Sequence, residues 1–324
     1  MKSQMLTSLF RVGLIWGIAS TWILAQGVPE FTQIRRLTGD EIGLTLAAPQ
    51  GAGIRVEAAT NLAAWSGLAA LQAGAATSLQ YTDSAAPYLP SRYYRAQLAD
   101  SNIVAGDILP TADGDVVIRP LFHATFVMAW RDTMIYVDPD NGISYAGLPK
   151  ADLILVTHSH GDHLDVATID AVRKTNTVIL APNDVYTRLS TAQRSLTGVL
   201  ANGQSTNVMG LTVEAVPAYN ANHSLGLGNG YVLTIGGKRI YVAGDTGDTP
   251  EMRQLPNIDV AFLPMNQPYT MTVSAATNAV TGFKPKVVYP YHYRDQSGTM
   301  TSAAQFKQRL DPGLGIEVRL RKWY

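Results

Sequence analysis

Residues 157–165, with the sequence THSHGDHLD, gather three of the chain's six histidines and two aspartates into nine positions. They follow the apolar run ADLILV (151–156), which predicts a buried strand, and precede VATIDAV (166–172), which has the spacing of an amphipathic helix. Side chains two residues apart in an extended segment point the same way, so His158 and His160 present two imidazoles to one point beyond the strand.

Asp162 and His163 are adjacent, so their side chains diverge and could serve a second point nearby. Two imidazoles and a separate acid–imidazole pair are the donors that two neighbouring divalent ions need. The chain has no cysteine, so any metal ion must be held by nitrogen and oxygen. Further donors occur at or near the ends of later predicted strands, where an α/β scaffold displays its chemistry: His223, Asp245 and His292.

This ordered set resembles the metallo-β-lactamase superfamily of binuclear hydrolases, over about residues 116–324. The matching features are THSHGDH (157–163), His223, GDT (244–246) and His292. Strand pairs that alternate with single helices already predict an α/β protein with mixed sheets. The resemblance implies, more specifically, a four-layer αββα sandwich of two mixed sheets.

The resemblance also implies which residues hold which ion. His158, His160 and His223 would hold the first metal, and Asp162, His163 and His292 would hold the second. Asp245 would bridge both. The expected cofactors are two divalent ions, with zinc the first expectation and manganese or iron the alternatives.

Within the superfamily, the chain looks similar to the branch that includes ascorbate-6-phosphate lactonase and N-acylphosphatidylethanolamine phospholipase D. The segments that carry this likeness are FHATFVMAW (122–130), YVDP (136–139), GDTGD (244–248) and PMNQPYTM (264–271). The TPGHT loop of glyoxalase II is absent, and the cysteine ligand of the commonest true β-lactamases is impossible here. The lactamase name is therefore a label for the fold.

The implied reaction is hydrolysis of a small molecule by a hydroxide that the two ions share, at a lactone, amide or phosphodiester. Asp162 and Asp245 are the expected catalytic carboxylates, Asp162 because it could also orient the nucleophile or carry a proton. Two alternatives stay open: an iron-dependent oxidoreductase on the same fold, and a secreted binding protein with structural metals. The 25 acidic and 25 basic residues balance, which argues against a nucleic-acid partner.

Three residues are candidates for substrate contact, namely His123, Asn266 and Tyr269. His123 falls inside a segment expected to be one strand (115–130), where a core histidine is the competing interpretation. The other two lie in a proline-containing loop that could be purely structural. Asp138 is expected either to orient a histidine ligand or to be a turn acid before Pro139.

Residues 1–27 have the features of a signal peptide, which predicts a secreted or periplasmic protein with no membrane span after cleavage. The apolar run covers 12–25, and Ala25 and Gly27 are small residues suited to a cleavage site. An uncleaved anchor is the alternative, although about 20 apolar residues are needed to span a bilayer. The sequence does not predict an oligomeric state.

Residues 28–100 contain no histidine and read as short alternating strands between Gly-, Pro- and Ala-rich turns, which predicts a small β-sandwich. Their Trp65, Thr82-Asp83 and Tyr93-Tyr94-Arg95 resemble positions of a β-sandwich module that is appended to many secreted bacterial proteins. That likeness implies an accessory role. Residues 101–115 would form a linker, and 116–324 would form the catalytic domain.

Overall fold

A computed structural model describes four segments of the chain, namely residues 27–100, 104–295, 297–310 and 312–324. These residues form two compact units, which divide at Pro110–Thr111. The signal-peptide prediction falls on residues 1–26, outside the described residues, and on Gly27. Among the helices within those four segments, none is both long enough and apolar enough to cross a membrane.

The first unit contains seven strands: β1 Glu30–Arg36, β2 Ile42–Ala47, β3 Gly53–Ala59, β4 Ser66–Gln72, β5 Ser78–Asp83, β6 Tyr93–Ala99 and β7 Gly106–Leu109. All of their pairings are antiparallel, in the orders β1-β2-β5 and β6-β3-β4-β7. Every second residue of β2 is buried, in a core shared with β3 and β4. This alternation is what one buried and one solvated face require.

The residues that resemble the secreted module are structural supports in this unit. The fully buried Asp83 accepts hydrogen bonds from Arg92 Nε at 2.7 Å and from the Tyr94 hydroxyl at 3.0 Å. The Arg95 guanidinium lies 4.6 Å from the centre of the Trp65 ring. The linker prediction for 101–115 is wrong over 106–109, because these residues form β7 and pair with β4.

The first sheet of the second unit contains six strands: β8 Val116–Phe122, β9 Thr125–Trp130, β10 Thr133–Val137, β11 Ala151–Leu155, β12 Arg173–Ala181 and β13 Thr197–Val199. Strands β8 to β10 pair antiparallel, whereas β10 to β13 pair in parallel. Parallel neighbours need crossover connections. Three short helices lie in those connections: α1 Val166–Val172, α2 Asn183–Arg188 and α3 Thr191–Arg194.

The second sheet contains seven strands: β14 Ser205–Val208, β15 Leu211–Asn220, β16 His223–Ile235, β17 Lys238–Val242, β18 Val260–Pro264, β19 Val287–Tyr291 and β20 Glu317–Val318. It is also mixed, because β14 to β17 pair antiparallel and β17 to β20 pair in parallel. Its helices are α4 Pro250–Arg253, α5 Val273–Phe283 and α6 Ala303–Arg309. Their apolar residues share one core with β17, β18 and β19.

Aromatic rings join the two sheets of the second unit. Phe126 of β9 stacks on Phe262 of β18 with ring centres 4.0 Å apart, and the Tyr289 ring also stacks on the Phe262 ring, at 4.9 Å. Trp323 meets the Phe126 and Phe262 rings edge to face, at 6.3 and 6.4 Å. The expected sandwich of two mixed sheets is therefore present in this unit.

One predicted element differs in the structure. Residues 115–130 form a hairpin rather than one strand, because His123 adopts a left-handed conformation (φ 55°) and the chain reverses there. The helix indicated by VATIDAV (166–172) is present as α1, which Asp165 caps by accepting a hydrogen bond from Thr168 N. The last strand of the second sheet, β20, has only two residues.

The aromatic stack predicts a large stability effect at Phe262. Replacing this fully buried ring with alanine (Phe262→Ala) should lower the free energy of unfolding by about 3–5 kcal/mol, because it leaves a cavity between the sheets. Urea unfolding, followed by near-ultraviolet circular dichroism, measures the change. Leu225→Ala is the control, since that side chain is 62% exposed and should change stability by less than about 0.5 kcal/mol. Equal effects of the two substitutions would contradict the prediction.

Candidate metal centre

Asp138, which lies directly after β10, holds the histidine-rich turn (157–163) in place through hydrogen bonds. Its two carboxylate oxygens accept hydrogen bonds from the backbone N of Thr157 at 2.7 Å and from the Thr157 hydroxyl at 2.8 Å. The same carboxylate lies 2.8 Å from His163 Nδ1. With Nδ1 donating to Asp138, the neutral form of His163 carries its lone pair on Nε2, which faces the centre of the site. Asp138 is therefore an orienting residue rather than a turn acid.

The first donor set brings together His158, His160, His223 and Asp245, whose ligand atoms all lie within 4.8 Å of one another. His160 Nδ1 lies 3.2 Å from Nε2 of His158 and 3.2 Å from Nε2 of His223. Asp245 Oδ2 lies 3.5 Å from His223 Nε2 and 3.9 Å from His158 Nε2. Imidazole nitrogens that converge so closely around a carboxylate form a site for a cation.

His223 reaches this set from the start of a strand. It is the first residue of β16, and it pairs with Asn220 of β15 across a tight turn. The Asn220 side-chain oxygen accepts from the backbone N of His223 at 3.1 Å and lies 2.9 Å from its Nδ1. This contact fixes the tautomer that leaves Nε2 free to bind a metal.

The second donor set lies around the other oxygen of Asp245. Asp245 Oδ1 is 3.2 Å from His292 Nε2 and 3.4 Å from His163 Nε2. Asp162 Oδ2 is 3.5 Å from the same His292 nitrogen. The structure thus places all seven predicted ligands in two adjoining sets, with Asp245 in both.

Four buried atoms of this centre have no hydrogen-bond partner within the described segments, namely His163 Nε2, Asp245 Oδ1 and both ring nitrogens of His292. Burying a polar atom without a partner is costly, and in native proteins such atoms are rare. Three of the four, all except His292 Nδ1, lie in the second donor set, where a cation would satisfy them. The residues present therefore fit two divalent ions bound by nitrogen and oxygen.

The charges of these side chains suit ligand roles. Burial opposes ionisation of Asp245, yet His292 and His163 hold its pKa well below the usual range, so it stays a carboxylate. Burial also opposes protonation of His163, but the charges of Asp245 and Asp138 raise its pKa well above normal. A metal ion that replaces this proton would be attracted by the same carboxylates. Burial lowers the pKa of His158 and His223, which keeps both imidazoles neutral.

Three of the eight non-glycine residues with a positive φ in the described segments lie at this site. His123, Asp138 and His292 all have positive φ angles, of 55°, 44° and 45°, which non-glycine residues rarely adopt. Each of the three forms a backbone hydrogen bond: His292 N donates to His123 O at 3.1 Å, His123 N to Trp323 O at 3.2 Å, and Asp138 N to Leu155 O at 2.9 Å. Strain of this kind persists only where the surrounding structure enforces it.

His123 is a contact of the metal centre rather than a core residue within a strand. Its Nε2 lies 3.1 Å from Asp162 Oδ2, and its Nδ1 lies 2.8 Å from the Tyr324 hydroxyl. Because both ring nitrogens have partners, His123 positions Asp162 within the second donor set.

A cavity of 760 Å³ opens onto both donor sets. The three predicted substrate-contact residues, His123, Asn266 and Tyr269, all line it. Asn266 is 5% exposed, and within the described segments its side-chain oxygen has no hydrogen-bond partner. This volume falls within the range of small-molecule sites, which is about 300–1,000 Å³.

Sequence reasoning did not identify several residues that shape the site. Asn220 and Thr157 orient histidines, Phe122 and Arg294 line the cavity, and Tyr324 packs against both of these residues. Asn220 could have been found from its spacing to His223, because asparagine side chains often accept from backbone groups two or three residues on. The other four carry no local signal.

Comparison with known proteins gives matches over the second unit. Residues 129–293 match the family model described as a β-lactamase superfamily domain. A UPF0173 metal-dependent hydrolase from Thermococcus onnurineus is 33% identical over 206 residues, which is 60% of this chain and 91% of that protein. A protein of the same description from Pyrococcus furiosus is 34% identical over 227 residues, which is 63% of this chain and 100% of that protein.

This chain is also similar to solved structures of metal-dependent hydrolases. A protein from Parabacteroides distasonis, provisionally named a metal-dependent hydrolase, is 42% identical with a TM-score of 0.60, and the match covers 68% of this chain and 99% of that one. Igni18, a metallo hydrolase from Ignicoccus hospitalis, is 25% identical with a TM-score of 0.56, covering 64% of this chain and 95% of that one.

The hydrogen bonds of Asp138 predict a selective effect on metal binding. In Asp138→Asn, an amide N–H faces His163 Nδ1, which favours the tautomer with its proton on Nε2 and removes that nitrogen as a ligand. Affinity for one of the two ions should fall about 10- to 100-fold, as measured by competition with a chromophoric chelator. Asp170→Asn is the matched control, because Asp170 pairs with Arg173 on the surface. Unchanged affinity in Asp138→Asn would contradict the orienting role.

Proposed function

Because this chain belongs to the metallo-β-lactamase superfamily of metal-dependent hydrolases, we propose that it hydrolyses a small molecule with a binuclear centre. The bond cleaved is a carbonyl or phosphoryl ester, in the broad sense that includes lactones, amides and phosphodiesters. The observation that carries the proposal is the position of Asp245, whose two carboxylate oxygens face different histidine sets.

A carboxylate shared by two divalent ions would reduce the repulsion between them. Two such ions a few ångströms apart repel each other strongly, even at an effective dielectric constant of about 20. Asp245 is 6% exposed, so water screens its charge little. Its negative charge would offset part of that repulsion, and each of its oxygens faces one of the two histidine sets.

Divalent ions in this centre would supply Lewis acidity, which activates water near neutral pH and polarises the bond under attack. Zinc suits the all-nitrogen-and-oxygen donor set, and manganese and iron are the alternatives. Asp162 lines the cavity, and His123 fixes its Oδ2 at 3.1 Å.

Burial opposes ionisation of Asp162, but its hydrogen bond with His123 and the charges of His163 and His292 hold its pKa below the usual range. Asp162 therefore stays a carboxylate, which suits accepting a hydrogen bond from the attacking water and orienting it.

The proposal predicts that Asp245→Asn folds normally but holds the second ion weakly. Asparagine has nearly the same shape and removes the shared negative charge. Hydrolysis should fall by about two to three orders of magnitude and recover in part with excess metal. Metal content by mass spectrometry and a screen with lactones, amides and phosphodiesters provide the two measurements.

Asp170→Asn again serves as the control and should keep both ions and full activity. Full metal content together with wild-type rates in Asp245→Asn would exclude the bridging role. Iron in the purified protein, with oxygen consumption and no hydrolysis, would instead favour the oxidoreductase alternative.

We also propose that the chain is exported and loses residues 1–27. The support is the apolar run over 12–25, preceded by Lys2 and Arg11 and ending in small residues. In a Gram-negative host, the periplasmic protein should begin at Val28, as determined by intact-mass spectrometry. Ile18→Arg places a charge in the apolar run and should leave the precursor in the cytoplasm. A periplasmic or membrane protein that retains Met1 would contradict cleavage.

A further inference from the structure

Arg294 forms part of the cavity wall, two residues after His292. It lines the same cavity as Asp162, His223 and Asp245. Its guanidinium carbon lies 4.2 Å from the centre of the Tyr324 ring and 5.2 Å from the centre of the Phe122 ring. Those two rings meet edge to face, with centres 5.7 Å apart. A guanidinium packed on aromatic rings is held in place while its N–H edges remain available for hydrogen bonds.

The aromatic support is itself fixed in the structure. The Tyr324 hydroxyl accepts a hydrogen bond from the backbone N of Arg294 at 3.2 Å and lies 2.8 Å from His123 Nδ1. Tyr293 packs edgewise against the Tyr324 ring at 5.1 Å. Because His123 in turn contacts Asp162, the position of Arg294 is coupled to the second donor set.

The guanidinium of Arg294 has no carboxylate partner among the residues that the structure describes. Asp295, its neighbour in the chain, accepts instead from the backbone N of Thr299 at 2.8 Å and from the Ser297 hydroxyl at 2.7 Å. By contrast, the exposed Arg131, which also stacks on an aromatic ring (Trp130, 4.7 Å), pairs with Asp113 at 2.8 Å. The N–H donors of Arg294 are thus left for a ligand in the cavity.

We propose that Arg294 binds an oxyanion on the substrate, a carboxylate or a phosphate group, that is distinct from the bond being cleaved. This inference rests on the proposed hydrolytic function and adds a substrate class to it. The planar fork of N–H groups matches two oxygens of a carboxylate or phosphate, and such charge-assisted pairs are strong and directional. The substrate is therefore an anionic small molecule, held at Arg294 while its scissile bond lies over the two donor sets.

The test uses three 4-nitrophenyl esters with the same leaving group. They are the neutral butyrate, the mono-ester of glutarate, which adds a carboxylate, and the 4-phosphonobutanoate, which adds a phosphonate. The wild-type protein should prefer one of the anionic esters over the butyrate by about 10- to 100-fold in kcat/KM. Which anionic ester it prefers distinguishes a carboxylate from a phosphate site.

In Arg294→Gln the ratio of kcat/KM between the preferred anionic ester and the butyrate should fall to about threefold or less. Arg294→Lys should retain an intermediate ratio, because lysine keeps the positive charge but lacks the planar fork of N–H groups. Arg131→Gln is the matched control and should keep the wild-type preference. Metal content should be the same in all variants, which separates a substrate effect from a structural one. An undiminished preference in Arg294→Gln would overturn the assignment.

If the wild-type protein cleaves none of the esters, calorimetric titration with glutarate and with inorganic phosphate tests Arg294 independently of hydrolysis. Binding of either ion that weakens about tenfold in Arg294→Gln, but not in Arg131→Gln, would support the anion site even though the ester-hydrolysis proposal failed. Equal binding of each ion by all three proteins, or no binding of either, would overturn the anion site.

Discussion

The carboxylate of Asp245 is the interaction on which the rest of the metal centre depends. It is buried, and its two oxygens approach four imidazoles, His158 and His223 on one side and His163 and His292 on the other. Removing its charge would leave those rings without a common counter-charge in a region of low dielectric, where unpaired polar groups are costly. The two donor sets are therefore one electrostatic unit rather than two independent sites.

A second level of contacts makes that unit rigid. Asp138, Asn220 and Tyr324 each contact the Nδ1 of a different histidine, and so determine which imidazole nitrogen faces inward. Asp138, His123 and His292 also hold left-handed backbone conformations. That strain costs about 1–3 kcal/mol per residue, and packing of the surrounding sheets offsets this cost. The ligand side chains are therefore already oriented before an ion binds.

The sequence predicted the chemistry of the site better than its surroundings. The superfamily, the fold class and the hydrolase assignment are confirmed, because a histidine–aspartate motif between a strand and a helix is a local signal. The lactonase and phospholipase branch and the role of the first unit stay predictions. His123 was misplaced in a strand because FHAT contains no glycine or asparagine to mark the reversal. Its contact with Tyr324 spans 201 positions, and no local pattern encodes such a distance.

The origin of the ligands has a consequence for stability. His158, His160 and His163 follow a strand of the first sheet of the second unit, whereas His223, Asp245 and His292 come from the second sheet. An ion bound by both groups is a cross-link between the sheets, and it exists only when both are folded. Ion binding therefore shifts the folding equilibrium by mass action, by about 2.7 kcal/mol when the free ion is at 100 times its dissociation constant. The thermal stability of this unit should thus vary with the free metal concentration of its surroundings.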